Sequence, residues 1–265
     1  MDVRHTPSPA PRRRGTQAIA RAVTLLKLVA GEKADGARYA DLVRLSGLEP
    51  PTVHRILQRL TAEGLLRQDP RARRYTLGTL AFELGLAAQQ LFSLREVCAP
   101  ALQRICDATG DTVFLTVRSG FEAVCVDRRE GSFPVQILTV EVGSRRPLGT
   151  AAGNLALLYP LPDDEVERVL EANAPRLPAF GQLDRDRLLT LIRKSRQLGY
   201  ALNDGVILPG VTGIGVSVPA RFGPPACALS VVGLASRLRE KRRAEVVKML
   251  RAESAALARI ISYPD

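Results

Sequence analysis

Between Thr52 and Arg59 the chain concentrates side chains suited to specific hydrogen bonding: Thr52, His54, Arg55, Gln58 and Arg59. The intervening Val53, Ile56 and Leu57, followed by Leu60, are spaced i, i+3, i+4, i+7, which makes one buried stripe of a helix. At 100° per residue Arg55 falls nearly opposite Val53, Gln58 and Arg59 follow one turn on, and Thr52 and His54 flank them. The outward side is therefore polar and cationic, with side chains long enough to reach base edges or phosphates. Shortly after it, RQDPRARRY carries Arg71, Arg73 and Arg74 on the tip of an expected hairpin. Three like charges at one tip repel one another unless an anion faces them. The chemistry this implies is recognition of a polyanion, with no covalent step.

Bond-making chemistry has little to draw on. The two histidines are His5, in a Pro-rich N-terminal stretch, and His54. A Ser-His or Cys-His nucleophile in the remaining two thirds is excluded. HExxH, P-loop and GxGxxG-before-helix patterns are absent, and GVTGIG leads into a strand, the wrong context for phosphate. Asp163 and Asp164 fall where a helix begins and read as N-terminal capping. Cys98, Cys106, Cys125 and Cys227 lack metal-ligand spacing, so they read as buried apolar residues in a reducing cytoplasm. No metal, cofactor or enzyme activity is expected.

Several elements must hold these side chains. YADLVRLSG is a short helix closed by Gly47, and LEPP leads into the second helix with Pro50 and Pro51 in its first turn, where no backbone donor is needed. Gly64 ends that helix. Two strands around the Pro70 turn complete the outline of a winged helix-turn-helix, whose second helix enters the major groove while the wing follows the backbone. A small helical subdomain with a solvated charged face is the bland alternative. Upstream, residues 1–15 read as a disordered basic arm in which Arg12–Arg14 either reach along DNA or solubilise the chain. Thr16 opens a helix with Ile19, Val23, Leu26 and Ala30 inward.

The chain has 265 residues, 46% of them hydrophobic and 25% charged, which suits two globular domains. Its net charge of +11 is front-loaded: residues 1–92 hold 15 Lys+Arg against 8 Asp+Glu, and the rest 23 against 19. No apolar run is long enough to span a bilayer, and the N-terminal arginines, with no hydrophobic region behind them, are not expected to act as a secretory signal. After the wing, Leu77, Leu80, Leu84, Ala87 and Leu91 form a two-heptad seam, read either as a helix packed on its own domain or as a connecting helix that helps form a dimer. Next comes a helix over Leu94–Thr109, with Val97, Leu102, Ile105 and Ala108 inward. From Asp111 the period changes to two, predicting strands at TVFLTVR, AVCVDRR, VQILTVE, GYALND, VTGIGVSVPA and ACALSVVGL. Helices are expected after PLGTAAG, at Asp163–Glu171, at Asp184–Leu198 and at Arg237–Ser262. The mixture lacks β-α-β alternation and predicts an α+β fold with a largely antiparallel sheet.

TVHRILQRLTAEGLLRQDPRARRYTLG, continued by DTVFLTVRSGFEAVCVDR, RRPLGTAAGNLALL, GYALNDGVILPGVTGIGVSVP and ALSVVGLASRL, closely resembles the IclR-type family of bacterial transcription regulators. The resemblance runs from Thr16 to the last helix. It implies a winged helix-turn-helix domain over 16–78, a linker helix over 79–93 and a GAF-like effector-binding domain over 94–265. It also implies a homodimer or tetramer, double-stranded DNA with a palindromic operator as partner, and a small-molecule effector.

A physical account of the effector site starts at Gly149, Thr150 and Ala151. They open a helix, whose unpaired N–H groups suit a carboxylate, and Thr150 adds a hydroxyl donor. By similarity, Asn203, Asp204, Val211, Gly213 and Ser230 form the facing wall. Close helix–sheet packing is the competing explanation of GTAAG. Many relatives carry a lysine at the position of Asn154 and an acidic pair at Asp204–Gly205. Some have a cysteine at Gly213, and a second pocket serine is Val232 here. The expected effector is thus an organic acid with an apolar or aromatic body. The expected function is a ligand-controlled regulator, a repressor before an activator. A ligand-sensing adaptor with protein partners, or an enzyme in the C-terminal domain, are the competing readings.

Overall fold

The computed structural model describes residues 16–32, 36–87, 92–138, 140–181 and 183–262. The expectations for the arm 1–15 and for Leu91 lie outside the described residues. The chain divides into two compact units, 1–88 and 89–265.

In the first unit α1 (Thr16–Ala30), α2 (Tyr39–Ser46) and α3 (Pro50–Ala62) pack around Leu25, Val29, Leu42, Val53, Leu57, Leu60, Leu66 and Tyr75. Pro50 and Pro51 occupy the first turn of α3. The helix stops because Gly64 takes a left-handed φ of 74° and directs Leu65 N–H to Leu60 O (3.0 Å), closing a Schellman turn. A three-stranded antiparallel sheet follows in the order β1 (Ala37–Arg38), β3 (Arg74–Leu77), β2 (Leu66–Gln68).

The inward face expected for α1 is corrected in part: Leu26 packs against the core as expected. Ile19 and Val23 are exposed, and Leu25 and Val29 are buried. Two apolar stripes overlap on this helix, and the one through Ala22, Leu25 and Val29 packs against the other helices. In α4 (Thr79–Ala87) no residue is buried, and Phe82, Leu84 and Leu86 are exposed.

The second unit is built on a six-stranded antiparallel sheet. Its order is β6 (Arg145–Pro147), β5 (Glu122–Arg129), β4 (Thr112–Ser119), β9 (Cys227–Leu234), β8 (Val211–Val218), β7 (Ala201–Asp204). Alternation sends Val113, Leu115, Ile214, Leu229 and Val231 to one face, where α5 (Phe92–Thr109) and α9 (Glu240–Ser262) cover them. The four cysteines are buried. Ala108, expected inward on α5, is exposed. The other face meets α6 (Ala152–Leu158), with α7 (Asp163–Asn173) and α8 (Arg185–Leu198) forming a second core.

The α+β expectation is met, with two corrections in the second unit. VQILTVE is not a strand. The edge of β5 is taken by β6, and just before it Gly143 N–H bonds Cys125 O (2.8 Å) while Cys125 N–H bonds Ser144 O (3.1 Å). With that ladder filled, 135–138 and 140–141 lie as coil, Ile137 inward and Val135 and Leu138 outward. The closing helix starts at Glu240, not Arg237: residues 235–237 form a turn in which Arg237 N–H bonds Leu234 O (2.9 Å), and the Arg237 guanidinium meets the buried Asp111 carboxylate (2.9 Å).

Candidate nucleic-acid interface and ligand cavity

The period of α3 sorts its residues. Val53 and Leu57 are fully buried and Leu60 nearly so. His54, Arg55, Gln58 and Arg59 are exposed, and Thr52 is half-buried. Arg55 makes no ion pair with any described residue, whereas Arg59 pairs with Glu63 one turn on. His54 stands edge-on to the ring of Tyr39, whose hydroxyl donates to Pro50 O (2.8 Å) and so ties α2 to the start of α3. Gln58, Thr61, Gln68, Arg73 and Tyr75 line a hollow between α3 and the wing.

The wing turn is closed by Asp69. Its carboxylate accepts the N–H groups of Arg71 (2.7 Å) and Ala72 (2.8 Å), and these bonds hold its pKa below the usual value. Arg71 and Arg73 are exposed at the tip, and Arg73 has a left-handed φ of 52°, a conformation uncommon outside glycine. Arg74 departs from the expectation of a tip residue: it lies in β3, half-buried, donating to Gly36 O (3.0 Å). Exposed Arg67 on β2 was not anticipated, because its strand position hid it among hairpin residues.

The second unit holds a half-open cavity of about 320 Å3 between the sheet and the start of α6. Register explains its lining. Phe114 opposes Ser230, Gly213 opposes both Val232 and Asn203, and all of these line it from one sheet face. α6 lies close to that face. A Cβ on Gly153 would sit 2.8 Å from Thr116 Oγ1, and one on Gly213 would sit 2.9 Å from Ala152 Cβ. The small residues of GTAAG thus serve close helix–sheet packing while the same segment also borders the cavity.

Of the eight residues expected at an effector site, Thr150, Ala151, Asn203, Val211, Gly213 and Ser230 line this cavity. Gly149 and Asp204 do not. Gly149 (φ 93°) packs against Leu188, where a Cβ would come within 2.5 Å, and Asp204 accepts from Thr212 and faces Arg243 (3.7 Å). Thr150 also differs from expectation. Its hydroxyl donates to Pro147 O (2.7 Å), its N–H points to the same carbonyl (3.3 Å), and the Asn154 amide joins them (3.3 Å). These donors close the turn before α6. Arg146, Phe180 and Ile207, not anticipated from the sequence, also line the cavity. They come from an edge strand and two loops distant in sequence, with no local period to flag them.

The first unit defines the class: a winged-helix protein with an outward cationic reading helix, in a chain that continues into a sheet domain with a half-open cavity. Comparison with known proteins gives the family. Residues 18–70 match the IclR helix-turn-helix domain, and residues 87–259 match the bacterial transcriptional regulator IclR C-terminal domain. The chain belongs to the IclR family of bacterial transcriptional regulators. Among its relatives, the HTH-type transcriptional repressor AllR of Escherichia coli (strain K12) is 28% identical over 231 residues, covering 86% of this chain and 84% of that one. An IclR transcriptional regulator from Alicyclobacillus acidocaldarius shares the fold at TM-score 0.74 and 24% identity, over 93% of this chain and 99% of that one. So does an IclR homologue from Microbacterium hydrocarbonoxydans complexed with 4-hydroxybenzoate, at TM-score 0.69 and 24% identity over 92% and 98% of the two chains. The chain is therefore a DNA-binding transcriptional regulator and not an enzyme. Among the described residues no helix is long and apolar enough to cross a membrane.

Proposed function

We propose that the protein is a cytoplasmic repressor that reads a palindromic operator as a homodimer or tetramer and is controlled by a small organic acid. One observation carries the DNA-reading half: Arg55 is exposed on the side of α3 opposite the buried Val53 and Leu57. In this reading Thr52, His54, Arg55, Gln58 and Arg59 face the major groove. Arg71 and Arg73 lie on phosphates, and Arg74 steadies the strand behind them. The working division is a reading domain over 16–78, a connecting segment over 79–93 that includes α4, and an effector domain over 94–265. The exposed Phe82, Leu84 and Leu86 of α4 supply apolar area that a second copy would cover.

The effector sits in the 320 Å3 cavity, a size at the small end of ligand pockets. Its mainly apolar lining favours an acid with an apolar or aromatic body, as does the 4-hydroxybenzoate held by the Microbacterium hydrocarbonoxydans protein. Such a ligand acts as a switch by binding the DNA-competent and DNA-incompetent arrangements unequally.

Electrophoretic mobility shifts against the DNA upstream of the gene, over a salt series, test the reading. Sequence preference with a steep fall of affinity as salt rises is expected. A flat response would instead indicate a ligand-sensing adaptor that meets another protein.

A further inference from the structure

We infer that Arg146 anchors the carboxylate of the effector, with the ring of Phe180 beside it, and that the site therefore takes monocarboxylates with an apolar or aromatic body. The inference rests on the effector reading of the cavity and adds to it the residue that selects charge.

The placement follows from β6. Arg146 is paired with Ala123 across the edge of the sheet, and Ala123 and Cys125 both line the cavity. Residues opposite one another in an antiparallel ladder share a face, so Arg146 is carried to the cavity side. Its neighbour Arg145 does not line the cavity and instead bonds Glu122 (3.0 Å) and Ser119 (2.9 Å).

Among the described residues lining the cavity, Arg146 is the one charged side chain; no Asp, Glu or Lys borders it. Burial lowers the Arg146 pKa, reporting a guanidinium partly stripped of water, although arginine stays charged at any working pH. A cation in such surroundings favours a ligand anion more than an exposed one does, and its planar fork matches a carboxylate. The guanidinium carbon lies 5.7 Å from the Phe180 ring centroid, which restricts its orientation. Two other donors along the lining are committed: Thr150 and Asn154 converge on Pro147 O. The rest of the lining sets Phe114, Ile207, Val211 and Val232 beside the neutral polar side chains of Thr116, Asn203 and Ser230. A second carboxylate would find no second cation among the described lining residues, so dicarboxylates are disfavoured.

The test is calorimetric titration of the full chain with benzoate, benzamide and succinate, repeated on Arg146→Met and Arg146→Lys. Benzoate is expected to bind the parent in preference to benzamide and succinate, and Arg146→Met to lose about 10- to 100-fold in benzoate affinity without changing its melting temperature. Benzoate binding equally to the parent and to a folded Arg146→Met would overturn Arg146 as the anchor while leaving the cavity an acid site. No response of the parent to benzoate, or no preference over benzamide, would overturn the acid reading itself and this inference with it. Should Arg146→Met not fold, Arg146→Lys carries the test. Weaker benzoate binding that keeps its preference over benzamide supports the guanidinium anchor, and unchanged affinity rejects it.

Discussion

Asp69 and Arg71 are joined across the turn of the wing: a carboxylate oxygen of Asp69 accepts the Arg71 N–H at 2.7 Å, and Ala72 shares the same oxygen at 2.8 Å. The backbone bonds from Ala72 and Arg71 lower the Asp69 pKa below 3.8. Asp69 therefore supports the turn above that ordinary value, and the support is lost as pH falls through the lower folded one. Asp69→Ala should leave the melting temperature almost unchanged and weaken DNA binding several-fold for all sequences alike, because only the presentation of Arg71 and Arg73 suffers. Loss of sequence preference, measured by mobility shift on operator and scrambled duplexes, would contradict this.

Arg55 and Arg73 should fail in different ways. A bidentate arginine–guanine contact discriminates by about 1–3 kcal/mol, so Arg55→Ala should relax or abolish operator choice. Arg73→Ala should weaken every duplex alike and flatten the logarithmic salt slope by about one unit. Unimpaired operator binding by Arg55→Ala would remove α3 from the groove.

The reading helix was legible because two signals agreed: Val53, Leu57 and Leu60 repeat at helical spacing, and Pro50–Pro51 and Gly64 mark its ends. The strands were legible by alternation, except where 135–141 alternates yet loses the sheet edge to Arg145–Pro147. That competition is tertiary, and no local pattern ranks the two segments. On α1 two apolar stripes were present, and packing decided between them. The cavity was half legible. Gly213 and Ser230 share a face by alternation, but Arg146 meets Phe180 only through an edge strand and a 3-10 stretch, Ala174–Ala179, that ends beside it.

Glu122 should hold the two elements that carry Arg146 and Phe180. It accepts from Arg145 on β6 (3.0 Å) and from Arg176 in the 3-10 stretch (2.7 Å). Burial alone would raise its pKa, but these two guanidinium partners outweigh burial and hold it below 4.5. Its contribution is thus present above the ordinary carboxylate value and disappears as pH falls through the depressed one. Glu122→Gln should cost about 1–2 kcal/mol, with the half-exposed Arg176 contributing less than Arg145. Hydrogen exchange at residues 145–147 should be faster in the variant at neutral pH. Equal protection in parent and variant would show that β6 is held by its ladder alone.

Gly153→Ala sets two effects of known size against each other. Replacing glycine by alanine inside a helix gains at most about 1 kcal/mol, and less this near the start of α6. Against it, the new Cβ would lie 2.8 Å from Thr116 Oγ1 and 3.1 Å from Ser230 Oγ. Thr116 is buried and β-branched, so it has little freedom to turn aside, and overpacking of this kind costs about 1–3 kcal/mol. The clash should win, leaving a net loss of roughly 1 kcal/mol in denaturant unfolding. Removing the closest atom should reverse the outcome: in a Thr116→Ala background the same substitution should cost nothing or stabilise. A coupling energy near zero in that double-mutant cycle would mean that α6 shifts as a unit and that its closeness to the sheet is not set by Gly153.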